Sequence, residues 1–483
     1  MKVCFVASEC VPYAKTGGLA DVVGSLPKAL SEAGCEVKIV MPLYGSIRTL
    51  DYGLSFSTDL GTINIAIAGR SVAFSVWYGK LPDSDVEVHF VDCPPYYHRG
   101  GLYTSDHDED ERFLLLQRAA VTILQRYHWK PDIVHCNDWH TALLPVLLRE
   151  QYGWDVLFDK TATVLTIHNI GYQGRFSPST LHTAGLSATG FYPGGPFEFE
   201  GSFSFLKTGL LYADAITTVS ETYAREIQTD TYGAGLQHVL RSRSWDLHGV
   251  LNGIDVSVWH PNRDEHIAKR YSGRSLDRKI DNKRALLEEM RLPFSEVVPV
   301  IGVVSRLTAQ KGLELLEPII HAVVSMPCQL VVLGSGDSRY EDFFRYAAHA
   351  FPDRISFYPG YNDGLAHRIT AGSDMFLMPS HYEPCGMNQM FSLLYGTVPI
   401  VRKTGGLADT VFDYHEFAGQ GNGFSFVDFA SHALLDAVKR ACSLFRDRDE
   451  WRRIQARGMK GDFSWKRSAE RYLEIYAKVK ARR

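Results

Sequence analysis

At 483 residues the chain is too long for one ordinary hydrophobic core, so two domains are expected. Its composition is that of a globular protein, 45% hydrophobic and 22% charged, and a net charge of −4 argues against a general nucleic-acid binder without excluding a local basic site. No apolar run approaches transmembrane length, and eight scattered cysteines (4, 10, 35, 93, 136, 328, 385 and 442) with no paired spacing read as reduced cytoplasmic thiols.

The chain opens on Met-Lys-Val-Cys-Phe-Val-Ala-Ser-Glu, a short apolar run that soon reaches a charge. That reads as a buried strand rather than a signal peptide. The first half then alternates β-branched runs (3–7, 36–43, 86–91, 133–136, 163–167 and 215–219) with amphipathic stretches (19–33, 111–127, 141–151, 205–213 and 221–228). Such alternation predicts a parallel sheet covered on both faces. Residues 51–78 instead read as strand after strand, a hairpin added to the sheet. Residues 184–203 hold five Gly and two Pro and read as a mobile surface loop. The first sheet ends between 242 and 262, where Asn252-Gly253-Ile254-Asp255 looks like a turn near an interdomain hinge.

The second half repeats the plan. Strands are predicted over 298–305, 329–333, 355–358, 375–378 and 398–401, and helices over 311–324, 340–350, 364–371, 387–395 and 432–446. The last amphipathic stretch, 465–478, is expected to cross back onto the first domain. The expected division is therefore 1–250, joined by 463–483, and 251–462. The fold class is α/β, with two similar halves and the cleft between their sheets as the natural site.

One stretch is written twice. Residues 15–23 read Lys-Thr-Gly-Gly-Leu-Ala-Asp-Val-Val and residues 403–411 read Lys-Thr-Gly-Gly-Leu-Ala-Asp-Thr-Val, differing only at 22 versus 410. Each copy follows a strand and opens a helix, where free N–H groups and a positive dipole end can receive a phosphate or polar ligand. In an open α/β sheet, ligands bind beyond the C-terminal strand ends. There the sequence places Lys15, Asn137-Asp138-Trp139-His140 and His168-Asn169 in the first half. In the second half it places Arg306, Lys311, Gly334-Ser335-Gly336-Asp337, Gly360-Tyr361, His381–Gly386 and Thr404-Gly405-Gly406. Turns need glycine and polar residues anyway, but turn chemistry alone explains the whole set poorly. Arg306 and Lys311 beside glycine-lined termini suit a diphosphate. Glu383 before Pro384 is either a helix cap or an acceptor for ligand hydroxyls, and Asp21 and Asp138 offer more acceptors. His168 is either a core histidine or a donor to a sugar hydroxyl. Trp139, Tyr96, Tyr97 and Tyr172 are either core or faces that stack on sugar rings. There is no Gly-x-x-x-x-Gly-Lys-Ser/Thr loop, and Gly334-Ser335-Gly336 lacks the third glycine of a dinucleotide fingerprint. The Asp-x-Asp pairs at 83, 106 and 447 lie in polar loops, so no required metal is expected.

Taken in order, Lys15-Thr-Gly-Gly-Leu-Ala-Asp21, Asn137-Asp-Trp-His140, Thr166-Ile-His-Asn169, Leu251-Asn-Gly-Ile-Asp255, Ser305-Arg-Leu-Thr-Ala-Gln-Lys-Gly312 and Glu383-Pro-Cys-Gly386 resemble the bacterial glycogen synthases and the related plant starch synthases from end to end. The resemblance implies a two-Rossmann glycosyltransferase that moves glucose from ADP-glucose to the non-reducing end of an α-1,4-glucan, with retention, in the cytoplasm. It implies glycogen or a malto-oligosaccharide as acceptor, neither metal nor pyridoxal phosphate as cofactor, and neither nucleic acid nor membrane as partner. Carried over by position, Lys15, Arg306 and Lys311 would hold the diphosphate, and Gly18 would let backbone approach the donor. His168 would contact the glucose near its 6-hydroxyl. Glu383 would bind glucose hydroxyls with support from the Cys385 and Gly386 amides, and Asp138 and Asn252 would lie close to the sugar. Thr404, Gly405 and Gly406 would cap the phosphates, Tyr361 would lie against the adenine, and Asp21 and Trp139 would face the acceptor. Where the family has Leu-Thr after Glu-Pro-Cys-Gly, this chain has Met387-Asn388, which opens the question of ADP- against UDP-glucose. A different retaining transferase, a pyridoxal-dependent glucan phosphorylase and a non-catalytic glucan-binding protein are the competing readings; the last has no use for Arg306 and Lys311.

Overall fold

Short runs of Val, Ile, Leu and Phe, buried on both faces, form the central strands of two parallel sheets. The computed structural model describes residues 1–483, and the chain divides into two units, Met1–Gly253 with Trp465–Arg483, and Ile254–Ser464.

In the first unit the strands are β1 (Lys2–Val6), β2 (Glu36–Pro42), β3 (Ser55–Phe56), β4 (Thr62–Ile67), β5 (Arg70–Lys80), β6 (Glu87–Asp92), β7 (Ile133–Asn137), β8 (Ala162–Ile167), β9 (Arg175–Phe176), β10 (Glu198–Phe199), β11 (Ser202–Ser204), β12 (Ala215–Thr218) and β13 (Leu247–Gly249). The main sheet runs β13-β12-β8-β7-β1-β2-β6-β5-β3, with β4 also on β5. From β13 to β6 every pair is parallel; β3, β4 and β5 form the antiparallel addition read at 51–78. Of the seven parallel strands, β1, β2, β6, β7, β8 and β12 follow the order 3-2-1-4-5-6 with β13 added beyond β12, and the order reverses between β1 and β7, the switch point at which such sheets bind ligands. The helix Trp465–Lys480 belongs to this unit. Its Ser468 hydroxyl donates to Leu251 O at 2.6 Å, and its Tyr476 hydroxyl meets His135 Nδ1 at 2.6 Å.

The second unit contains β14 (Val300–Val304), β15 (Gln329–Gly334), β16 (Ile355–Pro359), β17 (Met375–Met378), β18 (Val398–Arg402) and β19 (Phe424–Phe426), all parallel, in the order β16-β15-β14-β17-β18-β19. This is the same 3-2-1-4-5-6 arrangement, and it reverses between β14 and β17. Its core joins Ile301, Val332, Phe344, Leu377, Ile400 and Trp451.

Three local readings change. Residues 184–203 are not a plain loop: β10 and β11 lie there and pair with β9 as a small antiparallel sheet. The helix expected over 311–324 is broken into 3₁₀ turns before Ile320–Ser325. Gly312 sits at φ 65°, and a Cβ there would lie 2.1 Å from Pro379 O, so the backbone is pressed against the chain leaving β17. Pro318 then interrupts the i→i−4 ladder. The helices Lys279–Glu289 and Arg448–Met459, and β19, escape the sequence reading. In Lys279–Glu289 the inward positions include Lys279 and Lys283, which hides the apolar period. Lys279 donates to Ala371 O and Thr397 Oγ1 at 2.6 Å, and burial lowers its pKa to about 7. Lys283 pairs with Asp374 at 2.8 Å. No helix is long and apolar enough to cross a membrane.

Candidate functional site

In the first unit, β1 ends on Ala7-Ser8-Glu9, and Glu9 organises the loop beyond it. Its buried carboxylate accepts the Thr16 hydroxyl at 2.7 Å, the Gly17 N–H at 3.2 Å, and short hydrogen bonds from the Thr16 N–H and the Tyr103 hydroxyl. These bonds hold the first Lys-Thr-Gly-Gly copy at the start of the helix Gly18–Glu32. A Cβ on Gly17 or Gly18 would meet no atom within 4 Å, so this backbone faces open space. Lys15 Nζ lies 2.7 Å from Asp21 Oδ1. The two groups that the resemblance assigns to phosphate and to acceptor are thus paired with each other. Burial raises the Asp21 carboxyl, and Lys15 opposes the shift.

The end of β7 turns sharply at Asp138, which has φ 55°. Asp138 N donates to Thr166 O at 2.9 Å, and its Oδ1 accepts the His168 N–H at 2.7 Å, so it ties the end of β7 to that of β8. Burial pushes its carboxyl up to about 7, against the lowering effect of the His168 and Asn169 N–H groups. The His168 ring is oriented by Asn137. Asn137 Nδ2 donates to Val6 O at 3.1 Å, so its Oδ1 is the acceptor facing His168 Nε2 at 3.0 Å. Burial lowers the His168 pKa to about 3, leaving a neutral ring with hydrogen on Nε2 and a lone pair on Nδ1. His168 therefore offers a ligand an acceptor where the sequence reading had a donor. Asn252 is buried, and its Oδ1 has no hydrogen-bond partner.

The aromatic residues separate. Tyr96 and Tyr97 are core, their hydroxyls donating to Glu111 at 2.6 Å and to Arg112 O at 2.7 Å, so they are not stacking faces. Tyr172 is exposed. Trp139 is half-buried among Phe113, His140, Phe176 and Phe205, and a Cβ on Gly174 would come within 2.4 Å of its ring.

In the second unit, the residues after β14 and β17 meet at the switch point. Lys311 Nζ lies 2.7 Å from Glu383 Oε2, which also accepts the Ser380 hydroxyl at 3.0 Å. The close approach of Gly312 to Pro379 O is what brings these chain segments together. Arg306 is exposed at the end of β14. Asn388, part of the departure from the family pattern, donates through Nδ2 to Val304 O at 2.7 Å and so serves the scaffold. Gly386 has φ 71°, and Gln389 Nε2 donates to Cys385 O and Gly386 O at 3.1 Å. Tyr361 is exposed and donates its hydroxyl to Asp363 Oδ1 at 2.8 Å.

The second Lys-Thr-Gly-Gly copy differs from the first in position and use. It follows β18, the fifth parallel strand of its sheet, whereas the first follows β1, the first strand of its own. A simple duplication of one half would place both after the same strand. A Cβ on Gly405 would lie 1.9 Å from Glu383 O, and one on Gly406 2.0 Å from Cys385 O. These glycines exist so that the short helix Gly405–Thr410 can pack on the Glu383–Gly386 loop. Gly406 N donates to Glu383 O at 3.1 Å. Lys403 points elsewhere, into a 2.7 Å surface pair with Glu416.

Sequence reasoning missed Glu9, Ser380 and Tyr103, and placed Asn137 at the strand end without giving it a role of its own. Glu9 and Ser380 carried a readable signal, since each stands within three residues of the end of a strand that flanks a switch point.

Comparison with known proteins finds relatives along the whole chain. A starch synthase catalytic domain model matches residues 2–242, and a glycosyl transferases group 1 model matches residues 289–457. A glycogen synthase of Anaeromyxobacter dehalogenans is 47% identical over 481 residues, covering 99% of this chain and 98% of the relative. One of Syntrophotalea carbinolica is 45% identical over 483 residues, covering 99% of each chain. The catalytic domain of starch synthase IV from Arabidopsis thaliana, solved bound to ADP and acarbose, superposes with a TM-score of 0.91 at 34% identity over 99% of each chain.

Proposed function

The chain belongs to the glycogen synthase family and is a glycosyltransferase; from that premise we propose that it transfers the glucosyl group of ADP-glucose to the non-reducing end of an α-1,4-glucan, with retention of configuration. The observation that carries this reading is the Lys311–Glu383 pair, set at the switch point beside the second glycine pair. A lysine held there keeps two further N–H donors for phosphate oxygens, and a carboxylate held there accepts sugar hydroxyls.

In this reading Lys15, Arg306 and Lys311 stabilise the charge that builds on ADP as the glucosyl–oxygen bond breaks. Gly18 and the Thr404-Gly405-Gly406 turn approach the phosphates, and Tyr361 lies against the adenine. Glu383, the Cys385 and Gly386 amides, Asp138 and Asn252 bind the glucose, His168 accepts a hydroxyl hydrogen through Nδ1, and Asp21 and Trp139 face the acceptor. Retention by double displacement would need a free carboxylate nucleophile. Glu383 Oε2 already takes two hydrogen bonds, which favours a same-face path. In that path the acceptor oxygen bonds to C1 as the bond to ADP breaks, and its proton passes to the departing phosphate oxygen. No metal or pyridoxal phosphate takes part. Eight free thiols, all buried, suit the cytoplasm.

The test is glucose incorporation into glycogen from labelled ADP-glucose and UDP-glucose in parallel. Transfer from ADP-glucose is expected to dominate. Incorporation only from UDP-glucose would overturn the donor assignment, and none from either would overturn the reading.

A further inference from the structure

A cluster in the second unit lies outside the residues assigned to the reaction. Asp264 is buried and accepts three hydrogen bonds: His367 Nδ1–H at 2.7 Å, the Tyr395 hydroxyl at 2.6 Å and the His266 N–H at 2.8 Å. The His367 ring is 1% exposed and is clamped by Trp259, stacked at 3.6 Å and 13°.

In a neutral imidazole that gives its Nδ1–H to Asp264, Nε2 is the nitrogen left with a lone pair. That buried atom has no hydrogen-bond partner, and it faces Asp363 Oδ2 at 4.0 Å. The other Asp363 oxygen takes the Tyr361 hydroxyl, so Oδ2 remains available. The His266 ring stands beside His367 at 4.8 Å, and one donor atom from each of His266, Asp363 and His367 lies within 4.8 Å of the others. Two acceptors turned toward each other repel unless a cation lies between them. A buried carboxylate that fixes a histidine through one ring nitrogen and aims the other outward is the usual support of a metal-bound imidazole.

We propose that His266, Asp363 and His367 form a binding site for a divalent transition-metal ion of the Zn²⁺ class, separate from glucosyl transfer. Two imidazoles and one carboxylate suit that class and leave a position for water. Bonds of about 2.0–2.2 Å place tetrahedral ligands roughly 3.3 Å apart. His367 is fixed, while His266 and Asp363 are exposed and close the remaining distance by rotating their side chains.

The test uses chelator-treated, untagged, full-length protein titrated with Co²⁺. One equivalent should bind with visible d–d absorption, and Zn²⁺ should displace it. His266→Ala and Asp363→Asn should each weaken binding by about 100-fold or more, since loss of an outer-shell partner alone costs about 10–100-fold. Both positions are exposed, so unchanged circular dichroism is expected, and His367 is left intact because its ring is packed. Failure to bind one equivalent of Co²⁺ would overturn the site. Equal binding by the parent and both variants would place the ion on other histidines and overturn it too.

Discussion

Lys311→Met keeps the bulk of the side-chain stem and deletes the charge. Lys311 Nζ and Glu383 Oε2 are 2.7 Å apart, with side chains only 18% and 8% exposed. At an effective dielectric of about 20, that separation is worth roughly 6 kcal/mol of gross attraction. Desolvation of both ions offsets much of it, and what the variant loses is the partner of a buried carboxylate, which then keeps only the Ser380 hydroxyl. Breaking such a pair costs about 3 kcal/mol, or about 6–12 °C in the melting temperature of a unit of roughly 200 residues. If Lys311 also stabilises the leaving diphosphate, turnover falls on the order of 100-fold or more. The double variant Lys311→Met/Glu383→Gln isolates the stability effect. A neutral amide needs no cation, so most of the lost stability should return while turnover stays low. Thermal denaturation and the initial rate of ADP release measure the pair. Turnover of the single variant within about twofold of the parent would refute the phosphate role. A double variant no more stable than the single one would refute the claim that the ion pair holds this loop.

The two glycine pairs should respond oppositely. Gly406→Ala drives a Cβ to 2.0 Å from Cys385 O and should cost roughly 3 kcal/mol in denaturant unfolding, whereas Gly18→Ala meets no atom within 4 Å and should leave stability unchanged while turnover drops. Equal destabilisation by both would contradict the packing account. For Asp138 the folded pKa of about 7 lies above its unfolded value, so between about pH 4 and 7 the folded chain binds the extra proton and stability falls as pH rises. Asp138→Asn tolerates the positive φ and removes this term, so its stability relative to the parent should improve by on the order of 1 kcal/mol per pH unit across that window. Urea titrations at pH 5 and 7 that show no such divergence would rule the term out.

Much of the candidate site was legible because the physics was local. Lys15, Asp138, His168, Arg306, Lys311 and Glu383 all stand after apolar strands, and a parallel sheet gathers its ligands at those ends. What was not legible was the direction each group faces. Trp139 and Tyr97 occupy similar loop positions in the sequence, yet one is half-buried in an aromatic cluster and the other lies wholly in the core. The helix Lys279–Glu289 went unread because buried lysines stand where apolar residues mark a helix face.

By itself the sequence determined two α/β sheets, most of their parallel strands and the residue types at their edges, since alternating apolar runs and amphipathic stretches bury their surface in few other ways. Only the tertiary structure decided the pairings. It joined Lys15 to Asp21 and Lys311 to Glu383, the second pair 72 residues apart. It also set the near-identical Lys-Thr-Gly-Gly copies in different surroundings, the glycines of one facing open space and those of the other packed against the Glu383–Gly386 loop. The reason is steric: a glycine reads the same in any sequence, and what its missing Cβ makes room for depends on the distant chain packed against it.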